Sequence, residues 1–236
     1  SEDITYRQAE IFKKRFDYPG AVSISFKGAD NLVAKYKDMK TQPKIDVYGA
    51  DENYLLTAGF EVDEGRQFTT SELIRGDAVA IIGSKVKQDL FGDTDPLGNT
   101  ITIGNSKFRV IATLKSKGSS IGFSGDENVL TTLNAARQLY TTSDISFNIA
   151  VLIDNISNLS SATDAAIGLF RLIRGLKLGE PNNFQIIRSD SLAKIVIDNI
   201  ENVVIITTVI GLITLFGASI ALMNIMLVSV TERLQQ

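Results

Sequence analysis

Hydrophobic and polar positions alternate in short stretches along most of the chain and give way near its end to one long apolar run. From Thr5 to Phe16, the residues Tyr6, Ala9, Ile11, Phe12 and Phe16 recur among charged positions at helical spacing, and Pro19-Gly20 stops the helix. Ala21–Phe26 (AVSISF) alternates as a strand does, Lys27-Gly28-Ala29-Asp30 reads as a turn, Leu32–Met39 is ambiguous, and Lys44–Tyr48 alternates again. After Ala50, short strand-like runs and turns follow one another. Asp63-Glu64-Gly65-Arg66 reads as a turn, Ala78–Ile82 (AVAII) as a buried strand, and Ser84–Phe91 as a short helix capped by Ser84. Asp95–Asn99 is a proline turn, and Thr100–Ile103 with Phe108–Leu114 forms a hairpin. Lys115–Asn128 is a Gly/Ser-rich loop, Val129–Thr132 a strand and Leu133–Tyr140 a helix. From Phe147 the order becomes βαβ-like: a strand over Asn148–Ile153, a helix from Ser161 to about Lys177 with Asp164 completing a capping box, and a strand over Phe184–Ile187.

The apolar run, 203–230, holds no charged residue, and Asn224 is its strongest polar group. Roughly 28 residues exceed the ~20 that cross a bilayer core of ~30 Å. Helical spacing extends upstream through Leu192, Ile195, Val196 and Ile200, with Ser189 and Asp190 as cap residues. One continuous helix of roughly 40 residues would be ~60 Å long, about twice the hydrocarbon thickness. The expectation is a stalk over 191–202, with Ile195 and Ile200 packing against a second protomer, continuing into a transmembrane helix over 203–230.

The pattern as a whole predicts an α+β fold of two lobes. An α/β lobe comes from 1–49 and 141–190 and lies next to the membrane, because the tail leaves from it. A β-rich lobe, 50–140, is inserted within it, and a long C-terminal helix follows.

Composition narrows the chemistry. The net charge of −3, from 24 basic and 27 acidic residues, argues against nucleic acid as a partner, since phosphate neutralisation needs a basic face. Without cysteine, disulfides and thiolate metal sites are excluded. Without histidine, the commonest proton shuttle and Ser-His-Asp chemistry are excluded too. No signal peptide opens the chain at Ser1-Glu2-Asp3, so an exported domain is read as a fragment. The glycine before Ser84 is capping rather than a phosphate site, for it lacks the P-loop pattern. Asp51, Glu52, Glu61, Asp63 and Glu64 have no calcium-loop spacing. Arg171 and Arg174 fall on the polar side of their helix, a solvated face by default. In the Gly/Ser-rich loop, Ile121 and Phe123 are candidate partner contacts. No catalytic residue, cofactor or metal ligand is expected.

Met223-Asn224-Ile225-Met226-Leu227-Val228-Ser229-Val230-Thr231-Glu232-Arg233 resembles the segment closing the second transmembrane helix of MacB/FtsX-type ABC transporter permeases. Asn224, Glu232 and Arg233 are its signature residues. Tyr54-Leu55 through Gly65-Arg66-Gln67-Phe68 resembles a second family segment. The run from Ala78–Gly83 through Leu90-Phe91-Gly92, Asp95–Gly98 and Ile101–Gly104 to Phe108–Ile111 resembles a third. The resemblance implies a periplasmic domain with a membrane-proximal porter-like lobe, in a bacterial inner-membrane permease. It also implies a homodimer, a cytoplasmic ABC ATPase in a separate chain or domain, a periplasmic adaptor and an outer-membrane channel. Two roles follow from it: export coupled to ATP hydrolysis, or FtsX-like activation of a cell-wall hydrolase.

Overall fold

A computed structural model describes residues 2–117, 125–140, 145–188, 207–208, 210–220, 222–223 and 226. The chain divides into two units, Ser1–Phe184 and Gln185–Gln236.

In the first unit, α1 (Tyr6–Arg15) begins with a reciprocal cap. The Thr5 hydroxyl accepts from the Gln8 amide, and the Gln8 side chain accepts from the Thr5 amide. Lys13, Lys14 and Arg15 complement the negative end of the helix dipole. The strands are β1 (Gly20–Leu32), β2 (Ala34–Tyr36), β3 (Met39–Lys40), β4 (Ile45–Ala50) and β5 (Val62–Gly65). They continue as β6 (Val79–Ile82), β7 (Thr100–Ile103), β8 (Ser106–Leu114), β9 (Asn128–Thr132) and β10 (Asn148–Ile153). Helices α2 (Tyr54–Thr57), α3 (Thr70–Arg75), α4 (Ser84–Phe91), α5 (Leu133–Leu139) and α6 (Leu159–Arg174) cover the sheet, and a single 3-10 turn (Ile156–Asn158) leads into α6.

Among the described residues these strands join one sheet in the order β10-β1-β4-β9-β6-β8-β7-β2-β3, with β5 also on β8. Strands from both parts of the discontinuous segment and from the segment between them therefore share one hydrogen-bonded surface. One junction is parallel, with β4 beside β9 from Asp46↔Asn128 to Ala50↔Thr132, and the other, β2 on β7, is antiparallel. The AVAII run is continuously apolar because β6 is buried on both faces. Ala80 and Ile82 enter a core with Val47, Val86, Leu90, Phe108 and Val110, while Val79 and Ile81 enter another with Leu55, Ile111 and Leu130. Near β1 and β10, α1 and α6 close a third core around Phe12, Val22, Phe170 and Phe184.

Several local expectations are corrected. Lys27–Asp30 is not a turn: β1 continues through it, with register shifts between Lys27 and Ala29 and between Ala29 and Leu32. Asp63–Gly65 belongs to β5, recruited into the sheet by pairing with β8. Gly83, not Ser84, is the N-cap of α4. Helix α6 starts at Leu159 rather than Ser161 and ends at Arg174, with Gly175 as its C-cap and no side-chain cap at Asn158. Phe184–Ile187 is not a strand, and β10 runs antiparallel to β1, so the βαβ expectation fails. Phe184 is spent on the core instead of on a ladder, its ring edge-on to Phe170 with centroids 4.8 Å apart.

In the second unit, residues 207–208, 210–220, 222–223 and 226 are helical, and those side chains are exposed. Among the described residues no helix is long and apolar enough to cross a membrane. The stalk 191–202 and the remainder of 203–230 lie outside the described residues.

Candidate functional site

Ile121, Phe123, Ile195, Ile200, Asn224, Glu232 and Arg233 all lie outside the described residues, so the geometry on view is that of the structures that carry them. The stem of the 115–128 loop is tightly built. Lys115 bonds Glu61 at 2.8 Å, and the Ser116 hydroxyl meets the Asp126 carboxylate at 3.1 Å. Lys117 donates to the Ala58 carbonyl at 2.7 Å while its ammonium stands 4.1 Å from the Phe60 ring centroid. The Lys115 hydrogen bond holds the Glu61 carboxyl below its ordinary range. On the returning side, Gly125 has φ +69° and faces the Phe60 ring closely enough that a Cβ would collide with it.

The same stem occupies the start of α4. The amides of Lys85 and Val86 donate to the Asp126 carbonyl at 3.0 and 3.3 Å. A Cβ on Gly83 would run into the Asp126 and Gly125 carbonyl oxygens. The glycine is thus there for backbone approach, and the amides that could have held an anion are filled by the protein itself. Phe60 and Ala58 were not flagged by the sequence pattern, since neither stands in any local register with a loop over fifty residues away.

A second polar construction surrounds α3. Glu72 is 4% exposed. It takes two bonds of 2.8 Å from the Arg66 guanidinium, 2.9 Å from the Thr69 amide and 3.0 Å from the Thr69 hydroxyl. The Arg66 bonds, aided by Thr69, hold its carboxyl down at about 2. The Thr69-x-x-Glu72 spacing is the signal that could have found this capping box. At the end of β4, Asp51 is buried and accepts from the Ile24 amide and Lys13, both at 2.7 Å; Lys13 also reaches Glu52 at 2.6 Å. Burial pushes the Asp51 carboxyl above its ordinary value, more than its hydrogen bonds lower it. Asp63 and Glu64 face Lys87, at 3.9 and 3.0 Å. Among the described residues no acidic group forms a metal-holding cluster.

The arginines of α6 overturn the expectation of a solvated face. The Arg174 side chain is 6% exposed, with its guanidinium 5.4 Å from the Phe170 ring centroid. It donates to the carbonyls of Glu2 and Asp3 at 3.1 and 2.8 Å and to the Glu2 carboxylate at 3.2 Å. Arg171 donates to the carbonyls of Glu180 and Lys177, each at 2.8 Å, and to the Asn182 side chain at 2.6 Å.

Residues 1–169 match the family described as the MacB-like periplasmic core domain. The chain belongs to that family. It is 28% identical over 212 residues to the uncharacterized ABC transporter permease YknZ of Bacillus subtilis, covering 88% of this chain and 50% of the relative. It is 33% identical over 196 residues to the pyoverdine export ATP-binding/permease protein PvdT of Pseudomonas entomophila, covering 82% and 29%. The macrolide export ATP-binding/permease protein MacB of Neisseria meningitidis is 28% identical over 233 residues, covering 99% and 35%. The chain therefore spans half or less of the length of these relatives. In fold it is similar to the periplasmic region of MacB from Actinobacillus actinomycetemcomitans, at a TM-score of 0.67 and 18% identity over 83% of this chain and 84% of that one. It is also similar to the extracellular domain of the YknZ transporter from Gram-positive bacteria, at 0.60 and 24% over 74% and 86%. The mixed α/β architecture and the resemblance to the permease family are thereby both established.

Proposed function

We propose that this chain is the non-catalytic periplasmic part of an ABC-type export permease in a bacterial inner membrane, and that it turns cytoplasmic ATP hydrolysis into movement or docking outside that membrane. The family match over 1–169 carries this reading. In it, 1–49 and 141–190 form the porter-like lobe nearest the membrane, and 50–140 the lobe that faces partners. The permease pairs with a second copy through a stalk over 191–202 that includes Ile195 and Ile200, and Ile121 and Phe123 contact a periplasmic adaptor, with an outer-membrane channel beyond it. The membrane assignment has separate support in the second unit. Leu212, Ile213, Leu215, Phe216 and Ile220 all expose large apolar side chains on this helix. The hydroxyls of Thr214 and Ser219 donate to the carbonyls of Ile210 and Leu215 at 2.8 and 2.9 Å, which leaves neither in need of water.

Cross-linking of the full-length permease in membranes, followed by identification of what it captures, tests the reading. An ATPase together with an adaptor and channel is the expected set. Capture of a cell-wall hydrolase without adaptor would replace export by FtsX-like regulation. ATPase activity of this chain alone is expected to be nil, by phosphate release.

A further inference from the structure

The segments by which the chain enters and leaves the first unit lie side by side. The Glu2 amide donates to the Asn183 carbonyl at 2.7 Å, and the Asn183 side chain donates to the Glu2 carboxylate at 2.8 Å. Both segments are held from the same helix. Arg174 grips residues 2–3, and Arg171, one turn earlier, grips 177, 180 and 182. The segment 175–184 forms no helix or strand; it is attached by these bonds, by the Phe184 ring and by Leu176, which packs on the same core and donates its amide to the Arg171 carbonyl at 3.0 Å. Arg174 is nearly fully buried and stacked on Phe170, which itself meets Phe184 and Phe12.

We propose that the two arginines of α6 form a tension-bearing clasp. A bidentate guanidinium fixes two carbonyls in one plane, which a point charge cannot do. With the clasp closed, a pull on the chain beyond Phe184 reaches α6 and residues 2–3 together and is borne by the first unit as one body. With it open, the same pull is spent first in peeling 175–184 away from α6. This goes beyond the export reading and needs neither cargo nor motor, so the test below can succeed while that reading fails, and the reverse.

The chain contains no cysteine, so Ser1→Cys and Ile187→Cys attach pulling handles uniquely to the otherwise intact chain. Single-molecule stretching of this chain is expected to show one rupture with no earlier step. In Arg171→Gln/Arg174→Gln, a separate low-force step should precede that rupture and lengthen the chain by ~35 Å, from about ten residues at ~3.5 Å each. The main rupture force should stay close to that of the parent. Arg171→Lys, which keeps the charge and loses the fork that holds 177, 180 and 182, should show the same step at intermediate force and serves if the double variant does not fold. A lower main rupture force with no short step in either variant would mean that the arginines only stabilise the fold, and would overturn the clasp. An early ~35 Å step already present in the parent would overturn it as well.

Discussion

Glu72→Gln removes one negative charge from a buried site while keeping its size and one carbonyl oxygen. The carboxyl is held at about 2, against an ordinary 4.5, chiefly by the Arg66 hydrogen bonds. At 1.36 kcal/mol per pH unit, that difference corresponds to roughly 3.4 kcal/mol. Arg66 is 47% exposed, so solvent screens the pair. About 2 kcal/mol is the working figure after that discount. The sign follows from linkage. A depressed carboxyl stabilises the fold fully above 4.5, and the contribution is lost as pH falls through its folded value near 2. Urea unfolding of parent and variant from pH 7 down to pH 2 measures it. The gap should be about 2 kcal/mol at neutral pH, with equal slopes, should begin to close below 4.5, and should be nearly gone at the acid end. A gap that stays constant across that range would show that packing and neutral hydrogen bonds, rather than the ionised carboxylate, secure α3.

Gly83→Ala should cost about 1–3 kcal/mol, because the Asp126 and Gly125 carbonyls must retreat from the new methyl, and limited proteolysis within 115–128 should accelerate. Lys13→Met leaves Asp51 and Glu52 without their shared cation and should cost about 2 kcal/mol in urea, less than a fully buried pair because Lys13 is partly exposed. That penalty should shrink as pH falls through the raised value of Asp51, at a higher pH than an ordinary aspartate would give. Leu215→Arg places a charge in the apolar helix at a cost of about 2.5–3.5 kcal/mol in a bilayer, and should raise the fraction extracted from membranes by alkaline carbonate. Unchanged extraction would remove the support for a span.

What could be read in advance follows the range of the interactions. Thr5 with Gln8 is a cap written within four residues, and AVAII announces two-sided burial by itself. The bulged second half of β1, with Gly28, Asp30 and Asn31, has turn composition and becomes strand only because β4 lies beside it. Asp63–Gly65 is recruited in the same way by β8. The loop 115–128 was visible from its composition, but its seat on Ala58 and Phe60 was not, for no local rule connects them. Arg174 was the farthest from view. It stands one turn after Phe170, at the edge of the apolar stripe, and the groups that enclose it, Glu2 and Asp3, are brought up from the opposite end of the unit's sequence.

The parallel pairing of β4 with β9 limits how such a domain can be shortened. Asn128 stands opposite Asp46, so the chain that departs after Ala50 must return to the far end of its neighbour, about four residues or ~13 Å back along the strand. No tight turn makes that connection; a crossover of a dozen or more residues is required. A deletion joining residue 50 directly to residue 128 would therefore leave β9 without a path into the sheet. Length changes are tolerable at hairpin tips such as Gly104-Asn105, where the two strands already meet. The long excursion between β4 and β9 is in this sense not an accessory that a genome could trim residue by residue: below the crossover length, the central strand order itself is lost.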